Sequence, residues 1–166
     1  LGSNNKIGDA GYQALATALQ SSPACLSRLE CGLYSITDAK LTVRKNLAQK
    51  NLQSGSALLL SIMLRTADTL TEIDFNGVIL EDDAKTIIGT AIIDNAAIKI
   101  QTMKCHNWQV KKGDSNLTLP VKMEAADLML VAAAIKSHET LTALSLRGNK
   151  LGGTSASVAS FEALGK

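Results

Sequence analysis

A chain of 166 residues that is 46% hydrophobic and 19% charged can bury a sizeable core and is too apolar to be a disordered segment. Its formal charge of +2 does not supply the clustered basic excess of a nucleic-acid or membrane-surface footprint, so nucleic acid is not an expected partner. The longest apolar runs, Ala57 to Leu60 with Ile62 to Leu64 and Leu128 to Ile135, fall short of the roughly 20 residues of a spanning helix, so no transmembrane segment is expected.

Taken in order, the chain opens on Asn5 and Ile7 followed by Gly8, Asp9, Ala10 and Gly11. Ala14, Leu15, Ala16, Ala18 and Leu19 then place apolar groups on one side of a helix. Leu26, Leu29, Cys31, Tyr34 and Ile36 read as a strand and turn, and a helix anchored by Leu60 and Leu64 follows. The pattern returns as Leu70, Ile73, Phe75, Val78 and Leu80 before a helix with Ile88, Ile92 and Ile93. It returns again as Ile100, Met103, Cys105, Trp108 and Val110 before a helix with Val131, Ala132 and Ile135. The last copy, Leu141 to Leu151, is the best preserved, with leucines at 141, 144, 146 and 151 around Asn149 in the spacing L-x-x-L-x-L-x-x-N-x-L. Residues two apart share a strand face, so Leu144 and Leu146 point into a core, and the Asn149 amide satisfies backbone groups where the chain turns. Asp9, Asp38, Glu81, Asp82 and Asp83 sit just ahead of helices, where a carboxylate caps amides and meets the positive end of the dipole.

These units, with N-x-I-G-D-A-G leading into A-L-A-x-A-L, resemble ribonuclease-inhibitor-like leucine-rich repeats over most of the chain. The resemblance implies an α/β solenoid or horseshoe, with a parallel sheet on the concave side and helices on the convex side, in a family whose members mostly bind other proteins. Residues 1–166 read as a single domain of about five repeats, the first and last incomplete, within a longer chain. At the asparagine position the repeats span 29 residues (5 to 34), 44 (34 to 78), 30 (78 to 108) and 41 (108 to 149). Two of them therefore carry insertions, placed at 38–53 and 111–123. Lys40 to Arg44 and Asn116 to Leu119 alternate like short strands and are expected to form an accessory strand pair or flaps along one edge.

Little in the chain suggests chemistry. Cys25, Cys31 and Cys105 are an odd number without metal-type spacing and favour a reducing, intracellular compartment, cytoplasmic or within an organelle assembly. Cys31 and Cys105 share a column two repeats apart, roughly 9 to 10 Å, beyond disulfide reach, and read as core thiols. His106 follows Cys105 on a strand, so the two point to opposite faces and cannot act as nucleophile and base. Glu81, Asp82 and Asp83 read as a helix start rather than a metal site, Trp108 as core filling, and His138 as a loop residue facing solvent. The sequon at Asn116 to Thr118 reads as a chance match. No catalytic, cofactor or metal site is expected.

Two surfaces remain. Strand alternation puts Arg28, Glu30, Glu72, Asp74, Asn76, Thr102, Lys104, His106 and Arg147 on the concave face, a candidate protein-binding surface of both signs. Helix phase puts Leu58, Ile62, Ile87 and Met129 outward, with Ala91 and Ala133, as an apolar convex stripe and candidate interface. The chain is expected to be a non-enzymatic protein-interaction or structural scaffold subunit whose partners are other protein subunits. A regulatory or ligand-sensing arm of a receptor or enzyme inhibitor is the open alternative.

Overall fold

The computed structural model describes residues 7–21, 34–37, 40–43, 51–120 and 122–149, with side chains for 7–21, 52–120 and 122–149. Four helices run through them: α1 (Asp9–Gln20), α2 (Ser54–Thr66), α3 (Asp82–Asp94) and α4 (Ala125–Ile135). Each packs beside the next in chain order. Two begin with reciprocal caps: the Gln53 N–H donates to Ser56 Oγ (3.1 Å) at α2, and the Glu124 N–H donates to Asp127 Oδ2 (2.9 Å) at α4. α2 and α3 stop where the backbone turns extended at Ala67 and Asn95.

The strands are short: β1 (Tyr34–Thr37), β2 (Lys40–Val43), β3 (Asn51–Leu52), β4 (Glu72–Asp74), β5 (Ile79–Leu80), β6 (Thr102–Lys104), β7 (Gln109–Lys111), β8 (Asn116–Thr118) and β9 (Ala143–Ser145). They form a five-stranded sheet in the order β1-β2-β4-β6-β7 and two separate pairs, β3-β5 and β8-β9. β2, β4 and β6 run parallel, with Leu41, Ile73 and Met103 in register. Both edges are antiparallel: β1 folds against β2, and β7 against β6 with Val110 opposite Met103.

This topology overturns the expected horseshoe. The described residues form a small α/β protein in which no solenoid curvature is found, and their strands do not form one parallel sheet. The reason lies in the chain reversals at the edges of the sheet. After β6 the chain turns at Cys105 to Trp108, where the Cys105 N–H donates to the Trp108 carbonyl (2.9 Å), and returns as β7. β7 therefore occupies the edge of β6 that the next parallel strand would need. β8 then pairs with β9, with Leu117 beside Leu144, and starts a separate sheet. The segments 40–43 and 116–118 are strands, as their alternation suggested, but they form no accessory pair with each other: β2 lies inside the main sheet and β8 beside β9.

One continuous core joins the two layers. Ile73, Met103 and Val110 from the strands, and Phe75 just after β4, are fully buried with Leu59, Leu60, Leu64, Ile88, Ile92 and Val131 from the helices. Trp108 is buried in the same core, and Cys105 and Leu144 are half-buried against it. Two glycines permit close helix approach: a Cβ at Gly89 would lie 2.7 Å from the Met129 carbonyl oxygen, and one at Gly55 would collide with that of Asp9.

Helix ends are joined sideways, and here the expected roles of the acidic residues change. Asp9 has no side-chain bond to its own helix; its carboxylate accepts from the Gly55 N–H (3.0 Å) and the Ser56 N–H (3.1 Å), capping α2. Glu81 accepts from Gln53 Nε2 (3.3 Å) and Asp83 from Ser54 Oγ (3.4 Å), tying α3 to α2. At the opposite ends, Asn95 Nδ2 donates to the Leu64 and Ala67 carbonyls, both at 2.8 Å, and closes α2. Lys136 Nζ donates to the carbonyls of Ile93 (2.6 Å), Asn95 (2.9 Å) and Ile92 (3.3 Å) and closes α3.

Candidate interaction surface

Strand alternation decides which side chains leave the core. Ile73, Met103 and Val110 point into it, so their neighbours Glu72, Asp74, Thr102, Lys104, Gln109 and Lys111 stand on the opposite face of the sheet, half-buried on β4 and β6 and exposed on β7. Register sets Glu72, Thr102 and Lys111 in one row and Asp74, Lys104 and Gln109 in the next. Lys104 Nζ reaches diagonally across the strands to Glu72 Oε1 (3.1 Å), and that hydrogen-bonded carboxylate holds the lysine above its ordinary pKa. Asp74 Oδ1 accepts from the Asn76 N–H (2.9 Å), fixing the turn after β4. Asn76, His106 and Asn107 are exposed in the turns at the carboxyl ends of β4 and β6.

Glu72, Asp74 and Lys104 thus lie on one sheet face, with Asn76 and His106 in the turns beside it. The structure separates Arg147, which is exposed but follows β9 in the other sheet, so β7 rather than β9 completes this face. Arg28 and Glu30 lie outside the described residues.

The outward apolar stripe is not exposed. Leu58, Ile62 and Ile87 are half-buried against the core, Met129 is only 7% exposed, and Ala91 and Ala133 are buried. The one large apolar side chain that is well exposed among the described residues is Ile79, at 61%. The reason is the flank-to-flank stacking of the helices, which covers more of each circumference than one inward face; α4, apolar all round, is buried nearly all round.

A second constellation was missed in the sequence. Lys85 Nζ sits between Asp82 Oδ1 (2.9 Å) and Asp127 Oδ1 (3.0 Å), joining the first turns of α3 and α4. Burial opposes the Lys85 charge, but its hydrogen bonds to Asp82 and Asp127 prevail and raise its pKa. The Lys85 contact lowers the Asp82 pKa, while the hydrogen bond from Glu124 to Asp82 raises that of Glu124. Asp82 and Lys85 at i and i+3 were a readable pair. The third and fourth members come from 39 and 42 residues beyond Lys85, a juxtaposition that only packing creates.

Cys105 and His106 part company as expected, one against the core and the other exposed. Burial foremost, with the Asp127 and Asp74 charges, pushes the Cys105 thiol far above its usual range, which disfavours the thiolate. His138 does not face solvent: it is half-buried, and its Nε2 is enclosed with no hydrogen-bond partner among the described residues. Asn149 behaves as its motif position requires, with Oδ1 accepting from the Met123 N–H (2.7 Å) and Nδ2 donating to the Leu146 carbonyl (3.2 Å). Among the described residues no helix is long and apolar enough to cross a membrane.

The size of the sheet face limits what it can do alone. Five strands about 4.8 Å apart and three residues of about 3.3 Å each give roughly 240 Å² of platform. A stable interface takes about 800 Å² from each partner. The turns carrying Asn76, His106 and Asn107 must therefore join the strands in any lasting contact. Comparison with known proteins finds no matching family model, no matching curated protein and no matching solved structure.

Proposed function

We propose that the protein is a non-enzymatic interaction or scaffold subunit of an intracellular assembly, which binds other protein through the polar face of its five-stranded sheet and the turns at the carboxyl ends of β4 and β6. The observation that carries this reading is the convergence of Glu72, Asp74, Lys104, Gln109 and Lys111 on one face of the sheet, above strands β4, β6 and β7 whose core-facing side chains are fully buried. A face built on paired strands is pre-organised by their hydrogen bonds, which lowers the ordering entropy that opposes association. Its mixed charges suit recognition of a partner by complementarity rather than by apolar anchors. The protonated, core-packed Cys105 thiol argues against nucleophilic chemistry beside the face.

The test is to recover the tagged full-length protein from its own cells in parallel with a variant carrying Asp74→Ala, Lys104→Ala and His106→Ala. Because these side chains lie outside the core, the variant should melt within a few degrees of the wild type. Associated proteins present with the wild type and lost from the variant are the expected result. Equal recovery of the same proteins by both would refute the assignment to this face.

A further inference from the structure

We draw no further inference here: the strongest candidate, the acidic rim that Glu81, Asp82, Asp83, Glu124 and Asp127 form along the N-termini of α3 and α4, carries nothing, because those carboxylates are engaged by Gln53, Ser54, Lys85 and one another and nothing in the described residues points to a ligand for them.

Discussion

The two ends of the helix row hold the same neighbours by different means. At the C-terminal ends, Asn95 and Lys136 reach across to main-chain carbonyls of the preceding helix. At the N-terminal ends, the junction of α3 with α4 rests on Lys85 between Asp82 and Asp127. The Asn95 amide is neutral and buried, so its strength owes nothing to pH or salt. The Lys85 side chain is 16% exposed and Asp82 55%, so that junction weakens under screening and titrates. The helix row thus has one junction, α2 with α3, closed by a neutral buried amide, and another, α3 with α4, held by groups that titrate.

Asn95→Ala should be the most damaging change. It leaves the Leu64 and Ala67 carbonyls and the Ala97 and Ile98 amides without the side chain that now satisfies them. At about 1 to 3 kcal/mol per buried group left unpaired, with partial rescue by water, a loss of about 3 kcal/mol is expected. Urea denaturation at low and high salt should give the same difference. A strong salt dependence would erase the distinction between the Asn95 and Lys85 junctions.

Lys85→Met should cost about 1 to 2 kcal/mol, below the value for a fully buried pair because its partners are partly solvated. The difference from wild type should shrink in about 1 M salt. Its pH dependence has a definite sign. The folded-state pKa of Lys85 lies above the ordinary 10.5, so its stabilisation is complete below 10.5 and is lost as pH rises through the raised value. Alkaline melting curves should therefore fall more steeply for the wild type than for Lys85→Met. In acid, Asp82 is held below its ordinary 3.8, so its share is present above 3.8 and disappears as pH falls through the lowered value.

Lys136→Met should cost about 1 kcal/mol through the three uncapped carbonyls of α3. Burial lowers the Lys136 pKa, so the folded state loses this proton before the unfolded chain does, and stability gains from this group as pH climbs from the lowered value to 10.5. Lys85 and Lys136 therefore titrate with opposite effect, and paired alkaline melts of the two variants should diverge in opposite directions from the wild type. Arg65→Ala tests the smallest effect: its 3.6 Å contact to Asp94 joins two side chains each 52% exposed, and the change should lie within about 0.5 kcal/mol. A larger loss would mean that the α2–α3 junction depends on charge as well as on the Asn95 amide.

The sequence placed much of the local structure and little of its assembly. Ile73 with Phe75 and Leu144 with Leu146 marked β4 and β9 because side chains two apart share a strand face. Leu60, Leu64, Ile88, Ile92 and Val131 marked the buried sides of α2, α3 and α4. Alternation states which face is buried and is silent about which strand lies alongside. Gln109 to Lys111 fits equally as the tail of a repeat or as the returning arm of a hairpin, and the second pairing broke the sheet. Of the surface, Glu72, Asp74 and Lys104 followed from the same alternation. The interhelical bonds of Asp9, Lys85, Asn95 and Lys136 did not, since each joins residues 28 to 47 positions apart. The supposed apolar stripe failed for a related reason: a helix viewed alone does not show how much of its flank a neighbouring helix covers.

The hairpin of β6 and β7 also bears on the order in which the chain can be assembled during synthesis. All five strands of the main sheet have emerged once Lys111 has, before any of β8, α4 or β9 exists. The sheet can close on a shorter stretch of nascent chain than the helix row, whose α3 stays uncapped until Lys136 follows 25 residues later. A ribosome paused between those two points would hold a finished sheet beneath an unfinished layer of helices.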